Sequence, residues 1–416
     1  MNKIKILIAE DVPSLNKGEE AILMGMLETF RILGDVEVCL YSSSPQIDAA
    51  RYGTKIKVVD NKMGRAINKK ILPILVIKIV KFLYINLMHL LFALLYKIFD
   101  QNATKIMKAD IWKEYCKSDL IIIGHDSAFG FFSHVHIILL AKFLRKPTVV
   151  YAGSVAFSGR IRSKLAKFIL NKVDLITLRE RSSYEYLKKI GVNGPPMFVT
   201  ADLAFLLQPA PPEKVEEIIM KETIGDGPLI GMTVKQIPHY TERNIKLMVQ
   251  VVDYLIDTIN ATIVFLPHCI GPGEELDDRI VAKDIYQAVR NKHKVKVITN
   301  EYTAEELKGL IGQFDLFIGE RLHSVISAIS MLVPSIAILY PSHRDEILRE
   351  VLDNKWICSI ENLDIGTLKS KLYEIWSGKE EIRKKLINKM KSVKERALLN
   401  GKLIKDLLSQ NELDSQ

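Results

Sequence analysis

Cysteine is scarce in this sequence: Cys39, Cys116, Cys269 and Cys358 are the only four in 416 residues, and none forms a Cys-x-x-Cys pair. That spacing argues against a zinc ribbon or a disulfide-stapled scaffold and suits a reducing cytoplasm. Acid is missing from one long stretch. Between Asn61 and Phe99 there is no Asp or Glu, while Lys62, Arg65, Lys69, Lys70, Lys78, Lys81 and Lys97 all lie there. Much of the net charge of +9 is therefore local, which points to an anionic surface met at one place rather than a basic groove along the molecule. No nucleic-acid recognition motif is found, so no nucleic-acid partner is expected. The opening residues, Met1 to Glu10, read as a first β-strand; a secretion signal needs a longer apolar run and a small-residue cleavage site.

Hydrophobic residues at 48% and charged residues at 26% give the balance of a folded globular protein, and the length suits two α/β domains. Short apolar runs alternate with helical patterns. Ile4–Ala9, Val36–Tyr41, Lys55–Val59, Asp119–Ile123, Thr148–Ala152 and Leu175–Leu178 are strand candidates in the first half. Leu229–Val234, Thr262–Leu266, Lys294–Ile298, Leu316–Ile318, Ser335–Leu339 and Trp356–Ser359 are their counterparts in the second. Continuous apolar strands separated by helices indicate parallel sheets covered on both faces. The fold class is thus α/β, with two Rossmann-like lobes facing across a cleft. Three prolines in Leu207-Gln-Pro-Ala-Pro-Pro-Glu put the boundary near Pro209. The expected division is 1–208, 209–379 and a charged helical tail over 380–416.

Residues 71–99 form an apolar run long enough to span a bilayer. On a helix, Lys78, Lys81, Asn86, His89 and Lys97 fall within an arc of about 160°, a stripe that a spanning helix does not normally carry. Two readings remain beside the span: an interfacial helix lying in an anionic membrane surface, and a helix packed on the first lobe with a solvated lysine edge.

The stretch from Asp315 to Tyr340 carries the most chemistry. A buried strand ends at Gly319, a short polar loop holds Arg321 and His323, and an apolar helix begins near Ser324. Ligands of open α/β sheets bind at such strand ends, where a helix N-terminus favours anions. Arg321 offers a planar fork for carboxylate or phosphate, and His323 can move a proton near neutral pH. Alternatively, Arg321 pairs with Glu320 or Asp315, and His323 caps a carbonyl. His125, His134 and His136 come without a matching carboxylate cluster, so no metal site is expected.

Taken with segments upstream, this stretch resembles the polysaccharide pyruvyl transferase family. Asp315, Gly319, Arg321, His323, Ala328, Pro334 and Tyr340 match its Asp-hydrophobic-hydrophobic-Gly-x-Arg-hydrophobic-His pattern and the Pro–strand–Tyr that follows. Asn16-Lys-Gly-Glu-Glu is similar to its amino-terminal Asn-x-Gly-Asp box, with Glu19 in place of Asp. Arg179-Glu-Arg-Ser-Ser and Asp202-Leu-Ala-Phe resemble its central block, and Leu266-Pro-His-Cys with Asp277-Asp-Arg its Leu-Pro-His…Asp-Asp-Arg block. The chain departs from the family at Gly124-His-Asp-Ser-Ala-Phe-Gly, where members carry a glycine-rich turn.

The resemblance implies the GT-B-like architecture of a large glycosyltransferase class, with an acceptor lobe followed by a donor-binding lobe. It implies transfer of a pyruvyl group from phosphoenolpyruvate to a sugar of a cell-surface polysaccharide or its lipid-linked precursor. Arg179, Arg321 and His323 would bind the donor without a metal or cofactor, His323 moving the proton. Asp126, Glu19 or Glu180 would supply a carboxylate for the cationic carbon. Asn16 and Gly18 would hold an anion at a helix start, or simply cap it. His268 and Lys235, at strand ends, would face the cleft, and Asp202 would serve the site or cap a turn. The enzyme would be cytoplasmic, or peripheral on the inner face of the membrane. A nucleotide-sugar glycosyltransferase of the same architecture is the competing enzyme reading, and a glycan- or lipid-binding scaffold the non-enzymatic one.

Overall fold

The computed structural model describes residues 3–60, 74–125, 131–157, 159–236, 241–271, 273–340 and 345–414. Lys62, Arg65, Lys69, Lys70 and Asp126 lie outside them, as does the Lys78 side chain.

The chain divides into two compact units. The first contains seven parallel strands: β1 (Ile4–Ile8), β2 (Val36–Ser42), β3 (Lys57–Asp60), β4 (Leu120–Ile123), β5 (Thr148–Gly153), β6 (Leu175–Leu178) and β7 (Met197–Val199). Their order is β3-β2-β1-β4-β5-β6-β7. The second contains six: β8 (Leu229–Thr233), β9 (Thr262–Phe265), β10 (Val295–Val297), β11 (Leu316–Gly319), β12 (Ser335–Leu339) and β13 (Ile357–Ser359), in the order β10-β9-β8-β11-β12-β13. Both are open, doubly wound sheets. The strand order reverses between β1 and β4 in one and between β8 and β11 in the other, the positions where such sheets bind ligands. β4, β5, β11 and β12 are buried along their whole length, which is why they read as continuous apolar runs. The twelve strands expected from sequence all form. β7 was not expected: it is a three-residue edge strand, half exposed, that directly follows Pro195 and Pro196.

The division differs from the sequence boundaries in three places. Residues Leu15–Glu28 belong with the second unit, Leu398–Gln416 with the first, and the main boundary falls between Ala201 and Asp202. The proline run is not a free linker. Leu203 to Leu207 are buried, Lys308 Nζ donates to the Leu207 carbonyl at 2.7 Å, and Ala210 N donates to the Glu305 carbonyl at 2.8 Å. Burial of apolar side chains on both sides of the prolines overrides the composition signal. In the first unit, the tail is tied down by Thr200 Oγ1 donating to Asn400 Oδ1 at 3.1 Å, both buried.

The helix Ile74–Phe99 packs on the first unit with its stripe divided: Lys97 is exposed, Lys81 and Asn86 are half-buried and His89 is buried. Phe92 stacks on Trp112 at 4.5 Å, and the buried His89 ring meets Trp112 edge-on at 5.0 Å. Asn86 donates to the Phe82 carbonyl, and His89 Nδ1 lies 2.8 Å from the Ile85 carbonyl. Burial lowers the His89 pKa to about 4. Asn86 and His89 Nδ1 thus find partners on the helix itself, and His89 turns inward, away from the solvated edge on which the lysines were expected.

Candidate active site

In the second unit, the site forms where β8, β9 and β11 end. Gly231 in the middle of β8 admits the rings of Phe314 and Phe317; a Cβ there would stand 2.3 Å from the Phe314 ring. Beyond β11, Glu320 is buried and its Oε2 accepts the Lys235 amide at 3.0 Å, bridging the ends of the two central strands. Arg321 is the N-cap residue of the helix Leu322–Ser330, and the Ser324 hydroxyl returns to its carbonyl at 2.7 Å.

The Arg321 guanidinium grips Asp278 with two bonds, Nε to Oδ2 at 3.1 Å and an Nη to Oδ1 at 2.5 Å. Asp278 opens the helix Asp278–Ala288 and also accepts the amides of Gln236, His268 and Cys269 at 3.0, 3.1 and 2.9 Å. Burial raises this carboxyl above its ordinary value, and Arg321 and those amides oppose the rise. One carboxylate therefore ties the loops after β8 and β9 to Arg321. Neither Glu320 nor Asp315 takes that role: Asp315 accepts from Leu229 N and Lys379 instead.

Gly18 decides where His323 sits. A Cβ on Gly18 would stand 2.3 Å from Nδ1 of His323, so the imidazole packs directly against the start of the helix Lys17–Phe30. Asn16 Oδ1 accepts the Gly18 amide at 3.1 Å, the cap expected of it. The same segment is stitched to the loop after β9 by Lys17 N to the His268 carbonyl at 2.8 Å and Ile270 N to the Leu15 carbonyl at 3.0 Å. Nε2 of His323 lies 3.6 Å from Oδ2 of the buried Asp202, whose other oxygen caps the turn Leu203–Leu206. Asp202 thus does both things open to it, capping and facing the histidine.

His268 is buried, not open as its place after Leu266-Pro suggested, because its amide is held by Asp278 and its carbonyl by Lys17. Burial, with the positive charges of His323, Arg321 and Lys17, lowers its pKa to about 3, so it is a neutral ring. Lys235 is half-buried with Nζ 5.3 Å over the Tyr340 ring.

Within the first unit, Arg179 is buried at the end of β6. Its Nε donates to Ser154 Oγ at 2.7 Å and lies 3.7 Å from Glu180, which accepts from Ser154 and Ser183. Arg179 and Glu180 thus form a buried ion pair bridged by the Ser154 hydroxyl. Glu19 is half-buried in the first turn of the helix Lys17–Phe30. Sequence reasoning did not single out Asp278 or the buried Lys17, which pairs with Glu20 and Glu301 at 3.0 and 3.3 Å, and named Glu320 only as a partner for Arg321. The second Asp of Asp277-Asp-Arg was the one available signal for Asp278.

The residues that build this site fall inside a match to the family model of polysaccharide pyruvyl transferases, which spans residues 16–343. The chain belongs to that family. This pyruvyl transferase is 28% identical to the amylovoran biosynthesis protein AmsJ of Erwinia amylovora over 292 residues, 67% of this chain and 68% of that protein. Among solved structures it is similar to a glycosyltransferase from Rickettsia africae (TM-score 0.60, 15% identity, 98% of this chain and 99% of that one). It is also similar to the UDP-GlcNAc 2-epimerase of Neisseria meningitidis (TM-score 0.59, 12% identity, 99% and 100%). At such identities the likeness shows the fold alone: two Rossmann-like domains of GT-B type. The chain is a transferase of polysaccharide biosynthesis, and the glycosyltransferase likeness is architectural.

Proposed function

We propose that this polysaccharide pyruvyl transferase works in the cytoplasm, takes its pyruvyl group from phosphoenolpyruvate and sets it as a ketal on two hydroxyls of one sugar. The sugar belongs to a cell-surface polysaccharide or its lipid-linked precursor. The observation that carries the donor assignment is the Asp278–Arg321 fork beside His323. Arg321 is fixed by a carboxylate that is itself held by three amides, yet keeps part of its surface open, as does His323.

Phosphoenolpyruvate presents a carboxylate and a phosphate, and guanidinium and lysine groups can meet both, so the reading assigns no metal or cofactor. His323 gives a proton to the methylene carbon while a sugar hydroxyl bonds to the adjacent carbon and releases its own proton to solvent. A second hydroxyl of the same sugar then displaces phosphate, its proton leaving with the phosphate as hydrogen phosphate. The carboxylate of Asp202, at ion-pair distance, stabilises the positive charge on the imidazolium that donates. Arg179 is assigned to the donor by family resemblance; its bonds to Ser154 and Glu180 give it a fixed orientation.

Thermal unfolding with added ligand tests the reading. Phosphoenolpyruvate should raise the Tm of the wild type and not of Arg321→Ala, and UDP-sugars should leave both unchanged. Stabilisation by a UDP-sugar and not by phosphoenolpyruvate would overturn the donor assignment.

A further inference from the structure

The first unit carries a surface that the transfer reaction does not use. Three helices, Ile74–Phe99, Phe131–Phe143 and Arg160–Leu170, lie side by side over one face of its sheet, sharing the core cluster of Phe92, Ile138 and Ile169. Their outward sides are apolar. Leu83, Leu87, Leu90, Leu94 and Ile98 line the first helix at helical spacing, with Leu87 61% and Ile98 71% exposed. The other two add Leu139, Phe143, Ile161 at 76% and Phe168 at 60%. Exposed apolar side chains occur singly on any protein, but a continuous patch marks a binding surface.

Charge indicates what the patch meets. The three helices contain no Asp or Glu, and carry three, one and four Lys or Arg in turn. Of these, Lys97, Arg160, Arg162, Lys164 and Lys167 are exposed, while Lys142 is ion-paired with Asp174. Leucine and phenylalanine among lysine and arginine, with acid excluded, is the composition of an interfacial surface on anionic lipid. A protein partner selected by apolar contact alone would not require the exclusion of acid across three separate segments. The segment Ile79–Ile106 is long and apolar enough to cross a membrane. However, Phe92 and His89 commit one side of it to the protein core, which favours lying on a bilayer over spanning it.

We propose that these three helices dock the first unit onto an anionic bilayer, their leucine and phenylalanine side chains entering the headgroup boundary and their basic residues meeting lipid phosphates. This surface is broader than the lysine stripe read from sequence, and its outward residues are mainly the apolar ones. The proposal does not depend on the identity of the donor.

Vesicle flotation tests it, using the full chain with phosphatidylglycerol/phosphatidylethanolamine vesicles and with phosphatidylcholine vesicles. The wild type should float with the first and far less with the second, and 0.5 M salt should weaken binding. Leu87→Glu/Leu94→Glu should lose binding by roughly tenfold or more. Arg160→Glu/Arg162→Glu should weaken it by a similar factor, since each basic group near an anionic surface is worth about fivefold. All four positions are exposed, and an unchanged thermal transition would confirm folding. Absence of flotation, equal binding to both vesicle types, or wild-type binding by both variants would overturn the proposal. So would a stable dimer that Leu87→Glu/Leu94→Glu converts to monomer, which would give the face to a second copy. Phosphoenolpyruvate stabilisation of these variants should match the wild type, which separates this test from that of the donor site.

Discussion

Each sheet reverses its strand order once, and at each reversal a buried carboxylate accepts an amide from across the gap. Glu320 accepts Lys235 N at 3.0 Å in the second unit; Glu10 accepts His125 N at 3.0 Å in the first. Beyond that shared device the two places diverge. Around Glu10 the remaining groups close on each other: His125 Nδ1 lies 2.7 Å and His134 Nε2 3.1 Å from its oxygens, and all three residues are buried. Burial pushes the Glu10 carboxyl up, but the two histidines hold it well below the usual range. Around Glu320, the neighbouring Asp278 fixes Arg321, and Arg321 and His323 keep 17% and 13% of their side chains exposed. The fold offers a ligand position twice. Among the described residues, Arg321 and His323 at the second unit's position stay partly exposed, while Glu10, His125 and His134 at the first unit's position are all buried.

The sharpest way to break this comparison is at His323. His323→Gln should lower kcat by roughly 10² to 10⁴, the usual worth of a positioned proton donor, with the thermal transition nearly unchanged. A kcat within threefold of wild type would remove the histidine from the chemistry.

A paired measurement sharpens the contrast. Asp278→Asn leaves Arg321 without its counter-charge and should weaken phosphoenolpyruvate binding at least tenfold, besides costing roughly 3 kcal/mol of stability. Glu10→Gln should cost a similar roughly 3 kcal/mol, read by urea unfolding, while leaving donor affinity within twofold. If Glu10→Gln instead abolished turnover without a stability change, the first unit's cluster would be a working site and the distinction drawn here would fail.

A more gradual effect is on acid stability. His268 and His89 are held near 3 and 4 in the folded chain by burial, below the ordinary histidine value of about 6.5. The unfolded chain therefore binds protons first as pH falls. Stability should be full above pH of about 7 and decline between roughly 6.5 and 4, by up to about 1.4 kcal/mol per pH unit for each ring. His268→Asn should flatten the slope in the second unit and His89→Asn in the first. An acid slope unchanged by both would show that these rings are not the titrating groups.

Much of this was legible in the sequence, for identifiable reasons. Strands buried on both faces leave continuous apolar runs, so twelve of them could be marked, whereas the short, half-exposed Met197–Val199 directly after two prolines was passed over. Arg321 and His323 stand together because their loop is short and joins a buried strand to a helix, which is local information. The arrangement of Asn16 and Gly18 was also visible as a helix start. That Gly18 is the floor on which His323 rests was not, because the two residues lie far apart in the chain.

The sequence by itself determined the fold class, the family and the placing of Arg321 and His323 between a strand and a helix, since periodicity and short motifs depend on neighbours along the chain. Only the tertiary structure decided which groups pair. Arg321 takes Asp278 rather than the nearer Glu320, His268 is buried and neutral, and the helix Ile74–Phe99 turns His89 inward and its leucines out. Each outcome rests on desolvation: a buried charge or polar atom must find a partner wherever the fold brings one close, and sequence distance sets no such preference.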